Sequence, residues 1–153
     1  MKAKGFTLVE LITVVIILGI LAVYVAPRFF GSGDTDVVAA EVSLATLLRA
    51  QQQRAMQDTA NPGYGVNFET INGNTIITPV NQNTPLQSDS RQVIRVASSI
   101  AVQSPMQEIR FNASGCINQC GEQDLTITLV GQTSRSVCIN RQGFITQGPC
   151  QTS

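Results

Sequence analysis

Between Phe6 and Ala26 there are 21 consecutive residues with one charge, Glu10, and no other part of this 153-residue chain restricts its fold as strongly. As a helix rising 1.5 Å per residue the run extends about 32 Å, which matches the hydrocarbon core of a bilayer. Lys2 and Lys4 precede it and Arg28 follows it. With so short an N-terminus, the excess of cations on cytoplasmic segments predicts the lysines inside and everything after the run outside. A secretory signal peptide has an apolar core of only about 7 to 15 residues followed by a small-residue cleavage site. The stretch from Ala22 to Ala26 encloses Tyr24 and runs directly into Pro27, so it specifies such a site poorly.

The rest of the chain is polar, rich in Gln, Asn, Ser and Thr, and predicts a single modest head rather than several domains. Its charge is balanced. From Asn61 onward five arginines (Arg91, Arg95, Arg110, Arg135, Arg141) meet five acids (Glu69, Asp89, Glu108, Glu122, Asp124), so nothing draws the head toward nucleic acid at long range. The chain has no histidine, no glycine-rich phosphate loop and no pair of acids at a recognisable catalytic spacing. The usual nucleophile, base and metal constellations are therefore missing, and we expect no catalytic residue, no metal and no cofactor. Four cysteines, Cys116, Cys120, Cys138 and Cys150, cluster near the C-terminus, and an even set of this kind suggests disulfides in an oxidising compartment.

A carboxylate inside hydrocarbon costs up to about 3 kcal/mol at mid-helix and usually has a partner. No cation within the run supplies one. The motif around it, Gly5-Phe6-Thr7-Leu8-Val9-Glu10 after a short basic leader and before an apolar run, resembles the prepilin motif of type IV pilins. The resemblance implies cleavage by a prepilin peptidase after Gly5, removal of residues 1–5, and N-methylation of the new N-terminal residue, Phe6. It also implies a partner for Glu10. Cleavage creates an amine on Phe6, four residues away and on the same helix face, and in the family this glutamate is thought to pair with the amine of a neighbouring subunit. The alternative is a plain signal anchor whose Glu10 reaches back to the interface. Gly19 and Pro27 lie where type IV pilins have a glycine and a proline bracketing a weak helical stretch. Physically, Gly19 adds backbone freedom and Pro27 removes a donor.

Residues 6–29 thus read as a membrane and filament-core helix, 30–60 as a second, amphipathic helix and 61–153 as a β-rich head. The second helix is predicted over Asp34–Asp58, after the turn-prone segment at 30–36, with Asp34 or Thr35 as cap, Asp36 and Glu41 near its positive end, and Asn61-Pro62-Gly63 as its stop. Val38, Val42 and Ala45 form one apolar stripe and Leu44, Leu47, Leu48 and Ala55 another, so the helix should lie across a sheet. Its "RAQQQR" side reads as solvated or subunit-facing.

In the head, strands are predicted at 65–69, 75–79, 93–102, 108–112, 125–130, 136–140 and 144–147. One hairpin turns at Asn72-Gly73, a strong signal, and another near Gly131. Residues 80–92 read as a surface loop. The C-terminal pattern resembles the last sheet of minor pilins and pseudopilins of the FimT and GspH type, through Phe111, Gly115, Asn140 and Gly143, and the exit from the membrane looks closest to minor pilins of mannose-sensitive haemagglutinin (MSHA) pili. The implied fold is α+β, a long N-terminal helix packed on an antiparallel head. Four cysteines allow three connectivities. The favoured one joins Cys138 to Cys150 and Cys116 to Cys120; a four-cysteine zinc site is the alternative, although the spacings do not repeat a zinc-knuckle half.

The implied function is that of a structural subunit, a minor pilin held in the inner membrane by one pass with its head in the periplasm and then extracted into an extracellular pilus. Its partners would be the prepilin peptidase, other pilin subunits and the assembly machinery. A type II secretion pseudopilin is the nearest competing role. A tip adhesin or DNA-uptake receptor is another, but DNA binding needs clustered cations, and Arg91 and Arg95 are the only local pair in the head.

Overall fold

The structure is a computed structural model that describes residues 7–29, 32–58, 60, 63–81 and 92–151; the side chains of residues 22–29 and 32 also lie outside the description. The chain forms two units, Met1–Ser32 and Gly33–Ser153.

The first unit contains helix α1, Leu8–Phe29. It runs unbroken through Gly19 and Pro27. Among the described residues no helix is long and apolar enough to cross a membrane. The described side chains of α1 end at Leu21, and Leu8 to Leu21 rises only about 21 Å against a hydrocarbon core of about 30 Å. The predicted span, Phe6 to Ala26, extends beyond them at both ends.

In the second unit, helix α2 covers Ser32–Gln57, beginning two residues before the predicted start. Asp34 therefore lies within its first turn rather than capping it. The expected stop at Asn61-Pro62 falls outside the described residues. The buried positions of α2 are Val37, Glu41, Leu44, Ala45, Leu47, Leu48, Gln51 and Ala55, a stripe that recurs every three or four residues. Only one of the two predicted apolar stripes is covered. Val38 and Val42 are 38% and 45% exposed, while Ala45 belongs to the buried face.

That face meets strands of two antiparallel sheets. One has the order β3-β2-β1-β5, built from β1 (Gly65–Ile71), β2 (Asn74–Val80), β3 (Ile94–Arg95) and β5 (Glu108–Arg110). The other has the order β4-β6-β7-β8, from β4 (Ala101–Gln103), β6 (Leu125–Val130), β7 (Ser134–Ile139) and β8 (Ile145–Gln147). β6 shows why this part is a sheet. Leu125, Ile127 and Leu129 are buried and alternate with half-buried Thr126, Thr128 and Val130, the period of a strand with one face on a core. These three pack in one cluster with Val66, Ile77 and Ile109 of the first sheet and Leu44 and Leu48 of α2.

Both predicted hairpins form. β1 and β2 pair from Gly65↔Val80 to Ile71↔Asn74, and the turn places Asn72 and Gly73 at φ of 52° and 78°, the paired positive angles of a type I′ turn. β6 and β7 pair from Leu125↔Ile139 to Val130↔Ser134, closing at Gly131. The predicted strand at 93–102 is a correction: it is two strands, β3 in one sheet and β4 in the other. Between them the Ile100 amide donates to the Ala97 carbonyl at 2.9 Å, turning the chain while Val96 and Ile100 stay buried. The predicted strand at 108–112 ends at Arg110, because Phe111 bridges Ile117 across a tight turn. The loop predicted at 80–92 lies largely outside the described residues, as does Arg91.

Candidate assembly site

The start of α1 is built on Thr7. The Glu10 backbone amide donates to the Thr7 hydroxyl at 3.3 Å, and the Leu11 amide donates to the Thr7 carbonyl at 3.2 Å. Thr7 is thus the N-cap and Glu10 the third residue of the helix. Threonine at the cap and glutamate three residues on is a known helix-start signature, and reading Glu10 only as a charge overlooks it. At this position the carboxylate lies beside the positive end of the helix dipole, an interaction typically worth about 0.3–1 kcal/mol. Part of the cost of the charge is met by its own helix. The next polar residue is likewise satisfied locally: the Thr13 hydroxyl lies 2.9 Å from the Glu10 carbonyl and 3.1 Å from that of Val9.

Every described side chain from Thr7 to Leu21 is exposed, Leu8 to 76% and Ile20 to 67%. A helix apolar all round requires an apolar surrounding that this unit does not itself provide. Gly19 has no neighbour within 4 Å of where a Cβ would stand. Gly5 and Phe6 lie outside the described residues, and so does the side chain of Pro27.

In the head, α2 is fastened to the C-terminal strands by the residues predicted to face solvent. Arg49 donates to the Ile145 carbonyl at 3.0 Å, and the Gln52 carboxamide nitrogen donates to the carbonyls of both Gly115, at 2.7 Å, and Gly143. Arg54 donates to Gln92 at 2.9 Å. The "RAQQQR" segment is therefore only partly solvated: Arg49 and Gln53 are exposed, Gln51 is buried, and half-buried Gln52 approaches loop carbonyls that need donors.

The two loops held by Gln52 have one design. Asn112 accepts from the Ser114 and Cys116 amides while the Gly115 amide donates to the Asn112 carbonyl. Asn140 accepts from the Gln142 and Phe144 amides while the Gly143 amide donates to the Asn140 carbonyl. Gly143, at φ 86°, leaves no room for a side chain, since a Cβ there would stand 2.2 Å from the Gly115 oxygen. The residues singled out in the sequence, Gly115, Asn140 and Gly143, thus meet at one point, while Phe111 is buried beside it in the core.

Both loops are tied by disulfides, Cys116–Cys120 and Cys138–Cys150, with Cα separations of 5.2 and 5.0 Å. Phe144, at 67% exposure, projects from the loop within the second bridge. At the far end of α2, the Tyr64 hydroxyl donates to Asp58 at 2.9 Å, and this bond to a carboxylate raises the phenol above its ordinary 10.0. Among the described residues no group of three or more His, Cys, Asp or Glu could hold a metal ion.

Residues 1–26 match the family described as "Prokaryotic N-terminal methylation motif". A relative in Thermus thermophilus, "Type IV narrow pilus major component PilA5", is 39% identical over an alignment that covers 42% of this chain and 65% of the relative. The chain therefore spans just under two thirds of the length of that relative. The crystal structure of the Pseudomonas aeruginosa type IV minor pilin FimU superposes with a TM-score of 0.54 at 12% identity, covering 72% of this chain and 91% of FimU. At that identity the likeness is one of fold, and the fold is the α+β arrangement of a type IV pilin.

Proposed function

We propose that this chain, a relative of the type IV pilins by its N-terminal motif, its kinship and its fold, is a structural subunit of a pilus assembled through α1. The observation that carries the reading is an apolar helix with every described side chain exposed, opening on a capped glutamate within a methylation motif. In the precursor, α1 would be stored in the inner membrane with the head in the periplasm. Prepilin peptidase would cut after Gly5 and Phe6 would be methylated. In the filament, the α1 helices would bury one another's apolar surface.

Glu10 then has two partners in succession. The capped helix start stabilises it within the precursor, and the Phe6 amine of a neighbouring subunit pairs with it on assembly. Because an ion pair in an apolar surrounding is costly to break on one side only, the pair registers each incoming subunit. Gly19 and Pro27 would give α1 latitude to bend or unwind as it leaves the membrane. A minor rather than a major role, of the MSHA type and concerned with initiation or the tip, is favoured by the C-terminal sequence pattern and agrees with the likeness to FimU. The chain is assigned no catalysis.

Glu10→Ala tests the reading in cells that assemble the filament. The variant should accumulate in the membrane and fail to enter filaments while its head unfolds as the unaltered protein does. Incorporation at the normal level would remove the proposed pairing.

A further inference from the structure

The tip of the hairpin between β1 and β2 has no role in the reading above. The two strands pair with each other as far as Ile71↔Asn74, but their outer neighbours stop short. On one side contact ends at Phe68, whose amide donates to the Gln107 carbonyl at 2.8 Å; on the other it ends at Thr75, whose carbonyl accepts from the Val96 amide at 2.9 Å. Beyond them, among the described residues, the hairpin is a two-stranded ribbon. Ile71 and Asn74 are exposed on it, and so are the turn residues Asn72 and Gly73. A ribbon with neither a flanking strand nor a buried face opens at low cost.

Asn72 is held there through its backbone alone. Its carboxamide makes no hydrogen bond among the described residues, and a Cβ on Gly73 would meet nothing within 4 Å. Asparagine is a thermolabile residue, and its usual route of loss is internal: the backbone nitrogen of the next residue attacks the carboxamide carbon. The asparagines of the C-terminal loops are the contrast. Asn112 and Asn140 each accept two backbone amides on the side-chain oxygen, and Ala113 and Arg141 follow them.

We propose that Asn72 is a modification site at which the chain converts its own asparagine without an enzyme. The Gly73 nitrogen bonds to the Asn72 Cγ and gives up its proton, and the carboxamide nitrogen leaves as ammonia, which closes a five-membered cyclic imide. Water then opens the ring, its hydroxyl going to a ring carbonyl and its proton to the Gly73 nitrogen. Cleavage of the side-chain bond yields aspartate and cleavage of the main-chain bond yields isoaspartate; water is the only co-reactant. Glycine at 73 serves twice, because it accepts a φ of 78° and leaves the attacking nitrogen uncrowded. Aspartate suits the type I′ turn as asparagine does, whereas isoaspartate lengthens a two-residue connection by one backbone carbon and strains the Ile71↔Asn74 pair. Either product adds a negative charge to a head whose arginines and acids otherwise balance. The inference is independent of pilus assembly.

The test is to hold the full chain, folded in detergent micelles, at mildly alkaline pH and follow its tryptic peptides by tandem mass spectrometry after reduction. Asn72 lies in the peptide of residues 55–91, and Asn118, the comparison, in that of residues 111–135. Asn118 is exposed at φ 53°, against 52° for Asn72, but precedes Gln119. Carboxylate should replace the Asn72 carboxamide at least about tenfold faster than that of Asn118, equivalent to about 1.4 kcal/mol in barrier height, and both isomers should form. Gly73→Asn keeps a residue that accepts positive φ, and it should bring Asn72 down to the rate of Asn118. A rate at Asn72 no higher than at Asn118 would overturn the proposal. So would an equal rate in the Gly73→Asn chain, or aspartate without isoaspartate, which marks direct hydrolysis. Conversion confined to the chain unfolded in urea would also overturn it, since the hairpin would then protect the site rather than present it.

Discussion

The carboxamide of Gln52 donates to the carbonyl of Gly115 across 63 positions of sequence, at 2.7 Å, while the same nitrogen serves Gly143 from the other side. One side chain thus fastens α2 to two loops that adjoin separate disulfides. Replacing it with alanine leaves two part-buried carbonyls without their donor. Gln52→Ala should lower the stability of the head by about 1–3 kcal/mol, read as a fall in the urea midpoint at unchanged slope. Gln52→Glu, which keeps the shape but loses the donor, should destabilise comparably. A midpoint unchanged in both variants would mean that the clamp contributes nothing.

Gln51, its neighbour, predicts the opposite sign. It is fully buried, and neither its amide oxygen nor its amide nitrogen has a hydrogen-bond partner among the described residues. An unsatisfied buried amide costs about 1–3 kcal/mol, and an apolar side chain of similar volume removes that cost. Gln51→Leu or Gln51→Met should therefore raise the unfolding temperature of the head. A lowered one would indicate that the amide has a partner in solution.

The two disulfides should differ in worth. Cys138 and Cys150 are 12 positions apart and Cys116 and Cys120 only 4, and the loop-closure account assigns about 3 kcal/mol to the first and about 2 kcal/mol to the second. Serine replacement of each pair, with unfolding measured under non-reducing conditions, checks both the size and the order. The longer loop carries exposed Phe144, and its Gly148 amide donates to the Ser136 carbonyl, so its loss should also disturb the amides of Ser136 and Gly148.

Much of this organisation was legible in the sequence where the signal was local. The helix of the apolar run, the Asn72-Gly73 turn and the strand at 125–130 each depend on residues a few positions apart, and each formed as read. What was not legible depends on partners distant in sequence. Periodicity supplied two apolar stripes on α2 but could not say that Val38 and Val42 would be left exposed, because that depends on where the sheets close. Gln52, Arg49 and Gln51 looked solvent-facing because polar side chains usually are, and only the folded loops reveal carbonyls that need donors. Glu41 was read as a charge near a helix start; its burial arises from β7 and β8, roughly a hundred residues later. The strand predicted at 93–102 failed for a related reason: Val96 and Ile100 are buried, but a turn at Ala97–Ile100 divides the segment between two sheets.

The N-terminus combines both kinds of information. Thr7 and Glu10 form a local signal that the structure resolves as a helix cap, whereas the cation proposed for Glu10 exists only after the chain is cut. That processing is also the most direct test of the account. Intact-mass and N-terminal peptide mass spectrometry of the mature protein from membranes and filaments should show loss of the five residues Met1–Gly5 and a methyl group on the amine of Phe6. A mature chain that retains Met1–Gly5, or that begins at an unmodified residue elsewhere, would contradict it.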